Sequence, residues 1–95
     1  MRMDIEVRDN TKARRYEIWR EGETAGYVDY RERGKKTLFT HTEVDTKFRG
    51  EGLAEKLVTG ALDDIRRRGR TIESRCPYVS KFLDEHPEYQ DLNAA

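Results

Sequence analysis

Apolar and polar side chains alternate with a period of two from Asp4 to Arg8, where Ile5 and Val7 are the apolar members, and this spacing predicts a half-buried strand. Asp9-Asn10-Thr11 is a cluster of turn formers, so the strand is expected to stop there. The same period returns over 15–20, with Tyr16 and Ile18 on one face and Trp19 on the other. Glu21-Gly22-Glu23 then closes a hairpin into a third strand over 24–31, whose alternation sets Ala25, Tyr27 and Asp29 against Gly26, Val28 and Tyr30. A further turn at Arg33-Gly34-Lys35-Lys36 leads into a fourth strand over 37–44. Tight connections join only antiparallel neighbours, so the chain up to Asp45 reads as a meander.

After Asp45 the period changes. Leu53, Ala54, Leu57, Val58, Ala61, Leu62 and Ile65 fall on one stripe of a helix predicted over 51–68, while Glu55, Lys56, Asp63, Asp64, Arg66 and Arg67 cover the opposite face. The basic run that follows suits the negative end of the helix dipole, and Gly69 stands where a left-handed cap is expected. A helix between two strands makes them parallel through a right-handed crossover, so a fifth strand from Thr71 to Arg75 or Cys76 is expected beside the fourth. Pro77 opens a short helix to about Glu85, and His86-Pro87 ends it, since a residue before proline is driven from the α region. Tyr89 and Leu92 are expected to dock on the sheet. The chain is thus one α+β domain over 1–92: a mixed, mainly antiparallel five-stranded sheet, one long crossover helix and one short C-terminal helix, with 93–95 a disordered tail.

Composition narrows the function classes. Of the 95 residues 35% are hydrophobic and 40% charged, against about 45–50% and about 25% in an average domain, so core positions are few. Nineteen basic and nineteen acidic side chains cancel, leaving no overall field to favour nucleic acid. The arginines at 66–68 and 70, with Lys35 and Lys36, read as a solvated helix end rather than a nucleic-acid patch, because Asp63 and Asp64 abut them. No apolar run approaches the roughly 18 residues of a membrane span, and the first ten residues lack the pattern of a signal peptide, so a cytoplasmic location is expected. One cysteine excludes an internal disulfide and leaves Cys76 a free thiol.

The turn between the fourth strand and the long helix, Phe48-Arg49-Gly50-Glu51-Gly52-Leu53-Ala54, is where chemistry is expected. Two glycines two apart permit a tight turn and close approach of a ligand to the backbone. Behind them the first N–H groups of a helix lack intrahelical partners and carry the positive end of its dipole, which suits phosphate. Arg49 adds a fixed charge. A P-loop is excluded because Gly-x-x-x-x-Gly-Lys-Ser/Thr is absent, and the dinucleotide fingerprint fails at Glu55, where a third glycine is needed.

The turn resembles motif A of the GCN5-related N-acetyltransferases, Gln/Arg-x-x-Gly-x-Gly/Ala, with Arg49, Gly52 and Ala54 in the defining places. Together with His41-Thr42-Glu43-Val44-Asp45, Cys76-Pro77-Tyr78-Val79 and His86-Pro87-Glu88-Tyr89, it is similar to the small single-domain branch of that superfamily over about 16–92. The resemblance implies acetyl-coenzyme A as acetyl donor. Backbone groups of Arg49, Gly50, Glu51, Gly52, Leu53 and Ala54 would hold the pyrophosphate, and Thr42, Val44 and Asp45 would lie along the pantetheine arm in a slot between the fourth and fifth strands. It implies an amine acceptor (a protein lysine, a polyamine or a small amine), and a monomer or weak dimer is expected; the charge balance and hydropathy predict no nucleic-acid or membrane partner, and Cys76, His41 and His86 have no metal-ligand spacing, so no metal is expected. The larger members have extra helices and strands that build an acceptor pocket, and this chain has no room for them.

Four side chains are candidates for the transfer chemistry. Cys76 falls at a helix N-terminus, which lowers a thiol's pKa, and the resembled branch also carries a cysteine there; the other reading is a small packing residue. Tyr78 is placed to protonate a leaving thiolate or to pack at the helix start. His41 and Glu43, two apart on a strand, share a face, where they are a candidate base or ordinary exposed residues. A coenzyme A-binding module without turnover is the alternative to an enzyme, since function resides in the site and not in the fold.

Overall fold

The computed structural model describes residues 4–93. Five strands, β1 (Ile5–Asn10), β2 (Arg15–Arg20), β3 (Glu23–Arg33), β4 (Lys36–Val44) and β5 (Thr71–Ser74), form one sheet in that spatial order. The first four are antiparallel, and β5 runs parallel to β4 after the crossover helix α1 (Leu53–Arg67). A second helix, α2 (Pro77–Glu85), and a 3-10 segment (Pro87–Leu92) complete the fold. Among the described residues no helix is long and apolar enough to cross a membrane.

One face of the sheet and the apolar stripe of α1 make a single core. Ile18, Val28 and Phe39 from the sheet meet Leu57, Leu62 and Ile65 from the helix, all fully enclosed. Val79, Phe82 and Leu83 of α2 and Leu92 of the last segment join them. Burying Leu57, Leu62 and Ile65 stabilises the fold by about 1.5–3 kcal/mol each before chain entropy is subtracted. Gly60 lets α1 lie close on β1, because a Cβ there would stand 2.7 Å from Val7 Cγ2 and 2.8 Å from Val7 Cβ. The helix ends in a Schellman motif: Gly69 is left-handed (φ 67°), its N–H reaches Arg66 O at 3.1 Å, and the N–H of Arg70 reaches Ile65 O at 3.1 Å.

Several boundaries differ from the sequence expectation. Asp9 and Asn10 extend β1 instead of ending it, because they pair with Tyr16 and Arg15, and the turn falls on 11–14. Ala25 joins the core with Val28 and Tyr30 rather than Tyr27 and Asp29, because β2 and β3 slip register between Ile18 and Trp19 and Ala25 is the bulged residue. The helix begins at Leu53 rather than 51, since Gly52 takes the left-handed conformation (φ 72°, ψ 21°). Asn93, assigned to the disordered tail, bridges to Ile72; the rest of that tail lies outside the described residues. The arginine run is absorbed by ion pairs of Arg66 with Asp91, Arg67 with Asp64, Arg68 with Asp9 and Asp64, and Arg70 with Glu32.

Candidate functional site

The site follows from where β4 loses its partner. β4 pairs with β5 only from Lys36 to Phe39, and a last hydrogen bond, Arg75 N–H to Phe39 O at 2.8 Å, closes the ladder. A second bulge leaves Thr40 unpaired between the Asp29–His41 and Tyr30–Phe39 pairs, while β3 stays beside β4 as far as Val44. On its β5 side, 40–44 therefore faces a slot with its backbone groups unused by any strand among the described residues. Such an edge accepts an extended ligand as an added strand.

Thr42 and Cys76 meet across the slot. Thr42 pairs with the enclosed Val28 and so points to the helix side of the sheet, where its Oγ1 lies 3.1 Å from Cys76 Sγ. Cys76 is the N-cap of α2 and only 2% exposed, its carbonyl accepting from Ser80 N–H at 3.0 Å and Ser74 Oγ at 3.0 Å. The thiol thus belongs to the core as well as to the slot floor. Tyr78, the second residue of α2, is 38% exposed, and burial of its ring, then Glu55 and Glu85, raise its pKa. It stays a proton donor at neutral pH.

At the open end of the slot the chain makes a 3-10 turn (Thr46–Phe48) in which Asp45 Oδ1 accepts from Lys47 N–H at 3.1 Å. Phe48 pins the turn to the core. Gly50 (φ 84°) and Gly52 (φ 72°) are both left-handed, and a Cβ on either would meet nothing within 4 Å. Free space rather than protein therefore lies over both glycines. No side chain caps α1, which leaves the N–H groups of Leu53, Ala54 and Glu55 without side-chain partners beside that space. Leu53 itself is in the core, so only its backbone can serve a ligand, and Ala54 is half-buried. Arg49 is exposed and without an ion pair among the described residues.

Glu51 behaves otherwise than its place in the loop suggests. Its carboxylate turns inward to Arg20 Nε at 2.7 Å, and both atoms are shielded from water. Arg20 also lies over the Phe48 ring, 5.3 Å from its centroid. This anchor between the end of β2 and the loop removes an anionic side chain from the phosphate space. Sequence reading missed Arg20 because its partner lies thirty-one residues away and no periodicity links them.

His41 and Glu43 occupy the solvent face, opposite the thiol. Glu43 Oε2 accepts from Tyr27 Oη at 2.8 Å, and the rings of Tyr27 and His41 lie 6.2 Å apart. Arg15 stacks on Tyr27 at 3.8 Å and donates from Nε to Asp29 Oδ1 at 2.9 Å. Tyr27 is a second residue the sequence did not single out; its signal is the β3–β4 register, which puts it opposite Glu43. The hydrogen bond to Glu43, before burial, raises the Tyr27 pKa and keeps the phenol a donor. On the far side of α1, Glu55 lies 3.5 Å from His86 Nε2, whose ring stacks on Phe82 and whose Nδ1 is 2.8 Å from Phe82 O.

Known proteins share this fold. The model of the GCN5-related N-acetyltransferase family matches residues 15–92. The chain is 32% identical over 90 residues to protein NATD1 of Xenopus tropicalis, covering 93% of this chain and 83% of that one. With the NATD1 of Danio rerio it shares 37% identity over 60 residues, which span about half of the fish protein (54%) and 62% of this chain. Among solved structures, a GCN5-like putative N-acetyltransferase from Staphylococcus aureus superposes with a TM-score of 0.72 at 21% identity, over 95% of this chain and 88% of that one. A ribosomal-protein-alanine N-acetyltransferase from Brucella melitensis follows at 0.59 and 20%, over 85% and 63%. These two likenesses concern the fold; the family match over most of the chain decides membership, and this protein belongs to the GCN5-related N-acetyltransferases.

Proposed function

We propose that the protein transfers acetyl from acetyl-coenzyme A to an amine, in the cytoplasm. The observation that carries this reading is the continuity of the slot with the loop: the unpaired edge over 40–44 leads into two left-handed glycines whose missing Cβ atoms leave open space at an uncapped helix N-terminus. Thr42 and Val44 would offer backbone groups to the pantetheine amides. The N–H groups following Gly50 and Gly52, with Arg49, would hold the pyrophosphate. Asp45 shapes the turn between them.

In the transfer the amine nitrogen attacks the thioester carbonyl, the C–S bond breaks, and a base takes the amine's proton while the departing thiolate gains one. Glu43, held by Tyr27 and next to His41, would serve as base, and Tyr78 as donor to the thiolate. Because Cys76 is 2% exposed and bonded to Thr42, we assign it a place in the slot floor and favour direct attack over an acetyl-cysteine.

Calorimetric titration with acetyl-coenzyme A tests the reading. Micromolar binding is expected in the protein and its loss in Gly52→Asp, where the new carboxylate would stand in the phosphate space. Absence of binding in both would refute it, and binding without turnover of any amine would leave a coenzyme A-binding module.

A further inference from the structure

The solvent face of the sheet carries a polarised trough. One hollow, about 410 Å³, is lined by Tyr27, Glu43, Val44, Asp45 and Arg15 among others, and the next, about 370 Å³, by Arg15, Asp29, Thr40, Lys12, Arg14 and Arg31 among others. Arg15 lines both, so the two hollows adjoin at its side chain. Glu43 and Asp45 make the first end acidic. The second end is basic: Arg15 is committed to Asp29, whereas Lys12, Arg14 and Arg31 have no ion-pair partner among the described residues. In a chain of zero net charge, three such cations around one hollow are a local field and not a consequence of composition. Arg14 is held there by its backbone, left-handed at φ 57°, its carbonyl accepting from Tyr30 N–H at 2.9 Å.

The trough also touches the transfer site. Thr40, which lines the basic hollow, is the bulged residue at which β5 leaves β4 and the slot begins. From Tyr27, opposite Glu43, to Arg31 is four residues of β3, about 14 Å at about 3.4 Å per residue. That length and the open shape suit about four residues of extended peptide rather than a small amine.

We propose that this trough is the acceptor site and that the acceptor is an amine on an acidic peptide, its amine at Glu43 and a carboxylate two to four residues away among Lys12, Arg14 and Arg31. A polyamine would lay its second ammonium on those cations, so the charge pattern opposes it. The inference rests on the acetyltransferase reading above, and its test separates the two.

Acetyl-coenzyme A affinity is first measured by calorimetry. Thiol release is then followed with an N-terminally blocked peptide holding one lysine followed by glutamates, with the same peptide carrying arginines in their place, and with spermidine. The glutamate peptide should be preferred by about tenfold or more in kcat/KM, as loss of one charge-assisted contact would give. Arg31→Glu and Arg14→Gly, both at exposed positions, should erase or reverse the preference through KM while leaving the Kd for acetyl-coenzyme A within about twofold. Equal or better use of the arginine peptide or spermidine, no acetylation of any peptide although acetyl-coenzyme A binds, or a preference unmoved by Arg31→Glu would each overturn the proposal. If acetyl-coenzyme A does not bind, the donor reading fails by itself. Amide shifts at 12–15 and 29–31 on adding the glutamate peptide then decide the acceptor site separately, and their absence refutes it.

Discussion

Gly26 gives the sharpest test of how the sheet positions the site. It pairs with Ile18 on one side and Val44 on the other, and its φ lies outside the left-handed region, so alanine could adopt the backbone. Space is what forbids it. A Cβ would stand 2.6 Å from the carbonyl oxygen of Glu43, 3.0 Å from Val44 Cγ2 and 3.1 Å from Val44 Cα. The oxygen is backbone and cannot swing away, so β4 must retreat by about 0.4 Å even to reach the 3.0 Å below which real Cβ contacts are not found. Overpacking of this kind costs about 1–3 kcal/mol, and the alanine's smaller unfolded-state entropy returns about 0.4–1 kcal/mol. The net loss, up to about 2.6 kcal/mol, lowers Tm by roughly 4–8 °C per kcal/mol in a domain of this size. The displaced segment is also the edge assigned to the pantetheine, and about 1 Å of misplacement can cost about a hundredfold in rate, so a several-fold loss of acetyl-coenzyme A affinity should accompany the lower Tm. Circular-dichroism melts and calorimetry read both. A Gly26→Ala protein that melts at or above the parent and binds acetyl-coenzyme A equally well would refute the crowding argument.

Two other outcomes are expected. Arg20→Gln leaves the Glu51 carboxylate uncompensated next to the phosphate space and should weaken acetyl-coenzyme A binding about tenfold or more, whereas Arg20→Gln with Glu51→Gln should recover most of it; calorimetry on the double-mutant cycle would sink the idea if the two losses simply added. The His86 pKa is raised, first by its bond to the Phe82 carbonyl and then, against desolvation, by Glu88 and Glu55. A raised folded pKa makes protonation stabilising: that contribution is complete below the unfolded value of about 6.5 and is lost as pH rises through the folded value. Denaturant midpoints should therefore fall across that window in the parent protein and stay flat in His86→Gln, and equal slopes in both would reject the linkage.

How much of this was legible in the sequence depended on the range of the interaction. Helix α1 was plain, because its seven apolar positions repeat at 3.6 residues and Gly69 marks its end. The hairpins were plain for the same local reason. Both bulges were hidden, since a slipped register is decided by the neighbouring strand and leaves no mark in a period of two; that is why Ala25 moved into the core and Thr40 came to stand at the mouth of the slot. The glycine loop was legible through its chemistry, but the inward turn of Glu51 was not, as it depends on Arg20 arriving from β2. His41 and Glu43 were correctly placed on one face, yet the partner of Glu43 is Tyr27, a contact only the β3–β4 register creates.

The placement of the candidate groups on two faces bears on how the proposed transfer would bring two substrates together. The described residues build a single core between one face of the sheet and the helices, and the other face of the sheet is left open. Parting β4 from β5 beyond Phe39 opens a gap in the sheet, and in the proposed reading each reactant would approach it from its own side. Thr42 and Cys76 look toward the helix side, where the enclosed core supplies a dry floor, and Tyr27, His41 and Glu43 look toward water, where a base can exchange its proton. A buried thiol and an exposed carboxylate on opposite faces cannot act as one relay. The arrangement suits a single displacement in which donor and acceptor approach from opposite faces, with acceptor choice left to charges such as Arg14 and Arg31 that lie on the surface and can change without touching the core.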